Sequence, residues 1–237
     1  MRDEGSFQVS ARTDERSGGV RVVLDERLPH GHAVALTLPS PDAGYSSEDL
    51  EHLHAGERAF AAGLAPRRRH TWIGGRLALR AALGRIGIAC GAILSTARGA
   101  PALTTGIAGS VSHKDRFAVA LADLTGEWRI GVDYEPLVPP RERIERKVLT
   151  PEERKDWLLL PEDTRWEYTL RRFSIKEAVY KAIDPFLGRF VGFDEVTVAP
   201  GASGEVDVRP LFETRLRIEA RWTPLCGGLL ATARARE

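Results

Sequence analysis

The sequence lacks the features that mark several large protein classes. Its 237 residues include only two cysteines, Cys90 and Cys226, which are too few for a disulfide framework and lack CxxC spacing. We therefore expect reduced thiols and a cytoplasmic protein. The charged N-terminus has no apolar stretch typical of a signal peptide, and the apolar segment 225–233 is too short to span a bilayer. No membrane association is expected.

A strong excess of one charge is also missing. The formal net charge is +1, so recognition of an anionic partner would depend on local clusters, and nucleic-acid binding is not expected. The sequence has neither a Walker A loop nor a GxGxxG loop, and no GxSxG elbow of a serine hydrolase. With 43% hydrophobic and 28% charged residues, it predicts a globular protein of one large domain or two small halves.

Helix signals come first along the chain. Ser46 can cap a helix together with Asp49, and this helix should run to about Gly63. A second helix is expected to follow Pro66 and to continue to about residue 87. Its Gly74-Gly75 pair costs roughly 1 kcal/mol of helix stability per glycine, so we expect something to pack closely there.

Strand signals follow. Residues 117–121 alternate large and small apolar side chains, and the turn after them predicts a hairpin with residues 128–133. In the second half, Thr150–Glu153 predicts a helix start with a capping box. A further helix is expected over residues 164–183, before an Asp-Pro pair, with short strands after it. Helices followed by strands in both halves would permit an internal duplication.

Two carboxylates share one face of a predicted strand. Residues two apart on a strand point the same way, so Asp133 and Glu135 lie side by side while Val132 and Tyr134 face away. A cation between the two acids would relieve their repulsion, and hard oxygen ligands suit Mg2+. A solvated strand end is the alternative interpretation.

A second segment combines charge with helical periodicity. Over residues 173–183 the apolar side chains predict one buried stripe, with Lys176, Glu177, Tyr180 and Lys181 on the opposite face. A Glu-Lys pair one turn apart also stabilises an exposed helix by about 0.2–0.5 kcal/mol. The pattern by itself therefore needs no function.

Anion-binding candidates lie nearer the N-terminus. Ser112 and His113 precede the alternating strand, where they could hold a phosphate or cap a turn. Arg68 and Arg76 are separated by about two helical turns and could contact different phosphates of one nucleotide. A solvated run of arginines is the alternative.

In their order and spacing these segments resemble the phosphopantetheinyl transferase superfamily, in particular its enterobactin-synthase component D-like subgroup. The similarity extends over about residues 45–200, and GVDxE followed by KEAxxK is its most specific part. The matching segments are RRHTWIGGRLALRAAL (68–83), GSVSHKDRFAVAL (109–121), IGVDYE (130–135) and FSIKEAVYKAI (173–183).

The resemblance implies an α+β fold of two pseudo-symmetric halves, residues 1–135 and 136–237, with the active site in the cleft between them. It implies transfer of phosphopantetheine from coenzyme A to a serine of an apo acyl or peptidyl carrier protein, leaving adenosine 3',5'-bisphosphate. Mg2+, with Mn2+ as a substitute, would be held by Asp133, Glu135 and Glu177.

The resemblance also implies roles for the basic residues. Glu177 would take the serine proton, directly or through a metal-bound water, and Lys181 would assist. Arg98 would replace a lysine, because Gly99-Ala100-Pro101 stands where many relatives have Gly-Lys-Pro. A monomer serving siderophore, polyketide or nonribosomal peptide pathways is expected. Coenzyme A would be contacted by Arg68, Arg76, Arg98, Ser112, His113, Lys176 and Lys181.

Two alternatives remain. The same fold could bind coenzyme A or a carrier protein without turnover, although an intact set of three carboxylates favours catalysis. The pairs His30-x-His32 and His52-x-His54 could instead ligate zinc, but no cysteine or clustered acid completes such a set.

Overall fold

A computed structural model of the chain describes residues 19–124, 126–138 and 144–237. The first part contains a hairpin, three helices and a second hairpin. Its strands form an antiparallel sheet in the order β1-β2-β4-β3, so β3 is an edge strand. These elements are β1 (Arg21–Leu28), β2 (Gly31–Thr37), α1 (Ser47–Glu51), α2 (Ala55–Ala62), α3 (Pro66–Arg85), β3 (Ile107–Lys114) and β4 (Phe117–Leu124).

The second part places helices after one strand and then adds four more strands. Its antiparallel sheet has the order β5-β9-β8-β7-β6, so β5 is also an edge strand. A short 3-10 turn precedes β6. The elements are β5 (Arg129–Pro136), α4 (Glu145–Val148), α5 (Pro151–Leu159), α6 (Glu162–Leu187), β6 (Val196–Pro200), β7 (Glu205–Pro210), β8 (Arg217–Leu225) and β9 (Gly228–Arg236).

The hairpin predicted from residues 117–121 and 128–133 is wrong. β4 pairs with β2 on one side and β3 on the other, so it has no free edge for β5, which pairs with β9. Hydrogen bonding thus joins β5 to the C-terminal strands, whereas the boundary after residue 135 would separate it from them. The division of the chain into two domains stays a prediction.

The first predicted helix is in fact two helices. Ser46 and Asp49 form the expected capping box, but α1 ends at Glu51. His54 and Glu57 then form a second capping box that begins α2. Two such boxes in close succession favour a fresh start over one continuous helix, because each satisfies backbone N–H groups that a continuous helix would use internally.

The later helices agree better with the sequence. The capping box of Thr150 and Glu153 begins α5 as predicted. α6 runs past the predicted stop, with Pro185 inside its last turn, and ends at Gly188 in the left-handed conformation. A proline this close to the end removes few hydrogen bonds, so the helix continues for two more residues.

The glycine pair in α3 marks a close approach, as expected. A Cβ at Gly74 would lie 2.5 Å from Leu38 Cδ1, and one at Gly75 would lie 2.8 Å from Val111 Cγ1. These glycines let α3 pack tightly against the segment after β2 and against β3. The helix propensity that they lose is offset by this packing.

Three apolar cores separate four layers, ordered helix, sheet, sheet, helix. One core lies under α3, one between the two sheets, and one under α6. On β4, Phe117, Val119 and Leu121 face the core between the sheets, and the alanines between them face α3. Phe117 stacks on Tyr134 of β5 with ring centroids 3.9 Å apart, which ties the two sheets together.

The two halves repeat the same construction, which confirms the predicted α+β fold with two pseudo-symmetric halves. In each, the strand before the helices, β2 or β5, pairs with the last strand after them, β4 or β9, and the second part has two additional strands, β6 and β7. Buried charges repeat as well: Glu57 accepts a hydrogen bond from Arg80 of α3, and Glu153 accepts one from Lys176 of α6. Both pairs span 23 residues. Within the described ranges no helix is long and apolar enough to cross a membrane.

One buried histidine joins the two sheets. His30, in the turn between β1 and β2, is 3% exposed, and its Nδ1 lies 3.0 Å from Thr232 Oγ1 on β9. Burial, reinforced by the charge of Arg234, lowers the pKa of His30 from 6.5 to about 4. The folded state therefore favours the neutral ring.

We expect His30 to make stability depend on pH. Because its folded pKa lies below its unfolded value, the contribution is complete above pH 6.5 and is lost as the pH falls towards 4. The loss should approach about 3 kcal/mol, at 1.36 kcal/mol per pKa unit. Urea unfolding of His30→Gln should show a shallower decline over this window than wild type. The exposed His52→Gln should behave like wild type, and identical slopes for all three proteins would contradict the assignment.

Candidate functional site

The edge strands of the two sheets lie side by side at the predicted acids. β3 and β5 are in contact along their length, yet they belong to different sheets. Side chains of β3 make the connection: Ser110 Oγ accepts the Val132 N–H at 3.0 Å, and the Ser112 hydroxyl donates to Asp133 Oδ1 at 2.8 Å. We call this line of contact, residues 110–114 against residues 132–135, the seam.

Lys114 completes the seam, although the sequence analysis did not single it out. Its Nζ donates to Glu135 Oε1 at 2.5 Å. Strand alternation was the available signal, because Lys114 is two residues beyond Ser112 and therefore lies on the same face of β3. Each of the two acids on β5 thus has a polar partner from the other sheet.

Helix α6 brings two further residues to the acids. A Cβ at Gly131 would lie only 1.9 Å from the carbonyl oxygen of Ala178, so α6 approaches β5 at a distance that only glycine permits. One turn of α6 then presents Glu177 and Lys181. The ammonium of Lys181 donates to Asp133 Oδ1 at 2.9 Å and to the backbone carbonyl before Asp133 at 2.8 Å.

Glu177 is half-buried within this group of charges. Burial raises its pKa, and the negative charges of Asp133 and Glu135 act in the same direction. The ammonium groups of Lys181 and Lys114 oppose them. A carboxylate whose pKa is raised is a stronger base and is better suited to accept a proton from a hydroxyl.

Asp133 presents an oxygen atom that a divalent cation could meet. Asp133 is 3% exposed, and its Oδ2 atom has no hydrogen-bond partner in the described part of the chain. A buried carboxylate oxygen without a partner is costly unless a cation meets it. Among the described residues, no group of three or more His, Cys, Asp or Glu side chains is arranged to hold a metal ion. The ligand set of Asp133, Glu135 and Glu177 therefore stays a prediction.

A cavity of about 380 Å³ opens between α3, β3 and α6, and Glu177 and Lys181 lie in its wall. Arg68 at its edge is exposed, and its guanidinium has no hydrogen-bond or ion-pair partner within the residues that the structure describes. An exposed cation of this kind is available to an anionic ligand. The structure brings several predicted site residues to this cavity, namely Arg68, Arg76, Arg98, His113, Glu177 and Lys181.

Arg76 holds one wall of the cavity in place. It is 4% exposed and donates to the carbonyls of Ile93 at 2.7 Å and Leu94 at 3.1 Å. Its guanidinium also lies over the Trp72 ring, 4.5 Å from the centroid. Burial lowers the pKa of Arg76 to about 10. Its bonds to the wall segment account for its position, and contact with coenzyme A stays a prediction.

Arg98 crosses the cleft from that wall to α6. Its Nε donates to Asp184 Oδ2 at 2.8 Å, and its terminal nitrogens reach Asp184 Oδ1, Gly188 O and Tyr180 Oη. Hydrogen bonding within this pair raises the pKa of Arg98 and lowers the pKa of Asp184. The pair holds the guanidinium beside the cavity, where its contact with coenzyme A stays a prediction.

Ser112 and His113 lie on opposite faces of β3. Ser112 is buried against Asp133, so the structure gives it a supporting contact to an acid. His113 faces α3, where a Cβ on Gly75 would lie 3.1 Å from its ring. Burial, reinforced by the charge of Arg68, lowers the pKa of His113 to about 4, which keeps the ring neutral at pH 7.

The structure does not bring Lys176 to the cavity, and its contact with coenzyme A stays a prediction without a structural observation behind it. It is 3% exposed, and its three ammonium protons are used by Glu153 Oε2 at 2.6 Å, Val148 O at 2.8 Å and Phe193 O at 2.9 Å. Burial lowers its pKa, and the Glu153 carboxylate opposes this effect. Lys176 fastens α6 to α5.

The histidine pairs do not form a zinc set. His30 contacts Thr232, and His32 Nε2 lies 2.7 Å from Asp25 Oδ1. His54 caps α2. Each of these histidines thus has its own local partner.

A variant of Lys176 should lose stability and keep its affinity for ligands of the cavity. Lys176→Met removes the buried cation that is hydrogen-bonded to Glu153 and leaves that carboxylate with Arg172 at 4.0 Å, and breaking a buried pair in this way typically costs about 3–5 kcal/mol. Urea unfolding should show this loss, and calorimetry on the folded protein should give an unchanged affinity for coenzyme A. The double variant Glu153→Gln/Lys176→Met should recover part of the stability. Normal stability with weakened binding would place Lys176 in the ligand site after all.

Comparison with known proteins gives matches over both halves. The 4'-phosphopantetheinyl transferase superfamily profile matches residues 129–226, and the 4'-phosphopantetheinyl transferase N-terminal domain profile matches residues 56–123. The chain is similar to 4'-phosphopantetheinyl transferase Svp of Streptomyces mobaraensis, with 36% identity over 60% of this chain and 59% of that protein. It is also similar to the transferase Npt of Nocardia iowensis, with 34% identity over 74% of this chain and 76% of that protein.

More distant similarities complete the comparison. The 4'-phosphopantetheinyl transferase PptT of Mycobacterium tuberculosis is 29% identical over 72% of this chain and 74% of that protein. Among solved structures, the ACPS-CoA complex of Chronobacterium ammoniagenes is 21% identical, covers 46% of this chain and 96% of that chain, and has a TM-score of 0.36.

Proposed function

Because this chain belongs to the 4'-phosphopantetheinyl transferase superfamily, we propose that it transfers phosphopantetheine from coenzyme A to a serine of an apo carrier protein. The supporting observation is the buried, unpartnered Oδ2 of Asp133, which lies in a group of acids and lysines beside an open cavity. Such a group can hold a divalent cation at one side and a phosphate chain at the other.

We assign the phosphates of coenzyme A to the cavity. Arg68 is free to pair with a phosphate, and Lys181 lies between the acids and the cavity wall. Arg98 and the neutral His113 border the same space. Fixed cations of this kind contribute position as well as charge, since they hold the pyrophosphate in one orientation relative to the acids.

The two acids of the seam, together with Glu177 of α6, supply the metal ligands, and Glu177 is also the base. When bound to Asp133, Glu135 and Glu177, Mg2+ would neutralise the charge that develops on the pyrophosphate. Glu177 accepts the proton of the carrier serine, for which its raised pKa is suited. The serine oxygen forms a bond to the phosphorus that carries pantetheine, and the bond from that phosphorus to the bridging oxygen breaks. Adenosine 3',5'-bisphosphate leaves with the bond's electron pair.

The cellular location, oligomeric state and carrier class of the enzyme are inferred from its sequence resemblance. We place the reaction in the cytoplasm, with a monomeric enzyme whose carriers belong to siderophore, polyketide or nonribosomal peptide assembly. Support comes from the sequence resemblance to the enterobactin-synthase component D-like subgroup.

Intact-mass measurement of carrier proteins tests the reaction. With Mg2+ and coenzyme A, an apo acyl or peptidyl carrier should gain the mass of one phosphopantetheine, and EDTA should prevent the gain. Glu177→Gln should slow transfer by about 10²- to 10⁴-fold, the usual contribution of a positioned base. Asp133→Asn should abolish most of the activity while still accepting bonds from Ser112 and Lys181 at Oδ1.

Glu162→Gln provides the matched control. Glu162 begins the same helix as Glu177, but its side chain is 93% exposed, so wild-type transfer is expected. Coenzyme A binding without transfer to any carrier in a panel would favour a non-catalytic binding module. Undiminished transfer by Glu177→Gln would remove Glu177 from the mechanism.

A further inference from the structure

Each acid of the seam is paired with a lysine. Lys181 Nζ lies 2.9 Å from Asp133 Oδ1, and Lys114 Nζ lies 2.5 Å from Glu135 Oε1. The two lysines come from different halves, Lys181 from α6 and Lys114 from β3. In this arrangement the two ammonium groups balance the negative charges of Asp133 and Glu135, which a bound divalent cation would also balance.

The two lysines differ in how firmly they are held. Lys181 also donates to the Val132 carbonyl at 2.8 Å, which anchors it independently of Asp133. Because Asp133 Oδ2 has no partner among the described residues, a cation could meet Asp133 without displacing Lys181. A metal at Asp133 is therefore compatible with Lys181 as it stands.

Lys114 has no comparable anchor. Within the described residues, Glu135 is the acceptor of its one hydrogen bond, and the Lys114 side chain is 36% exposed while Glu135 is 7% exposed. Lys114 also borders a groove that it shares with three arginines, Arg67, Arg68 and Arg116. An ammonium and a dication on the same carboxylate oxygen would repel each other strongly at such short distances.

We propose that Lys114 is a displaceable counter-ion that occupies Glu135 until a divalent cation replaces it. This rests on the proposed function, in which Glu135 is a metal ligand. The carboxylate keeps a compensating charge in both states, first from Lys114 and then from the metal. Once released, the Lys114 ammonium turns into the groove beside Arg68, where it can form an ion pair with an anionic substrate.

The exchange couples metal binding to substrate binding. Without coenzyme A, a metal must break the ion pair of Lys114 and leaves that ammonium without an anion. With coenzyme A present, a phosphate can take the released ammonium, so the metal binds more tightly. By linkage the metal must strengthen coenzyme A binding by the same factor.

Mn2+ binding, measured by electron paramagnetic resonance, provides the test, independently of catalysis. Lys114→Met should bind Mn2+ about three- to tenfold more tightly than wild type without coenzyme A, the scale expected for one partly exposed ion pair and one removed positive charge. With saturating coenzyme A the Mn2+ affinities of the two proteins should agree to within about twofold. A phosphate then pairs with the released Lys114 of wild type, and the variant has no ammonium to displace. The exposed Lys155→Met should match wild type throughout.

Amine labelling gives a direct second readout in the unmodified protein. Acylation of Lys114 by a lysine-reactive reagent, followed by mass spectrometry, should increase on addition of Mg2+, while labelling of Lys155 should not change. Labelling of Lys114 that is unaffected by Mg2+ would overturn the displacement.

Failure of this proposal is distinguishable from failure of the proposed function. Unchanged or weaker Mn2+ binding by Lys114→Met, with binding abolished in Asp133→Asn, would overturn the counter-ion role and leave the metal site intact. An absence of Mn2+ binding in every variant, even with coenzyme A bound, would overturn the metal site and this proposal together. Coenzyme A binding followed in the same samples would then show whether the substrate assignment survives.

Discussion

The site depends on the seam, where two sheet edges meet without a backbone ladder. An edge strand presents N–H and C=O groups that must find partners when they are buried. At Val132 those partners are side chains, because Ser110 accepts its N–H and Lys181 donates to its carbonyl. Polar side chains are therefore required between the sheets, and Asp133 and Glu135 are the acids that this arrangement can accommodate. Asp133, Glu135 and Lys181 therefore take part both in the contacts that close the seam and in the proposed chemistry.

The repeated fold explains why one short motif contains residues with different tasks. Each half fastens its long helix through a buried glutamate and a cation, Glu57 with Arg80 and Glu153 with Lys176. Lys176 therefore occupies the structural position that Arg80 has in the first half. Successive residues on a helix point about 100° apart, so Glu177, next along the chain, turns from the fastening contact towards the seam. A lysine next to a candidate base therefore has no necessary connection with the ligand.

Local physical signals predicted much of the fold and part of the site. Strand alternation placed Asp133 and Glu135 on one face, and it would have found Lys114 had Ser112 been assigned to the same face as the acids. Capping boxes located the starts of α1 and α5 because they depend only on neighbouring residues. The predicted hairpin of β4 with β5 was wrong because β4 already pairs with β2 and β3, and nearness in sequence could not show this. Lys176 is likewise buried because it donates to the carbonyls of Val148 and Phe193. Helical periodicity could not predict these contacts, because both residues lie outside the helix.

Neither half contains a complete site by itself. The elements from β5 onward supply the acids and Lys181, while the part of the chain before β5 supplies Ser112, Lys114 and three of the arginines that border the cavity, Arg68, Arg76 and Arg98. Gly131 sets the distance between α6 and β5. Because it has no side chain, the Ala178 carbonyl of α6 lies where a Cβ at this position would be. Any larger residue there would push α6, and with it Glu177 and Lys181, away from the acids of β5. A duplicated fold thus acquires one site because its two copies contribute different residues to a single line of contact.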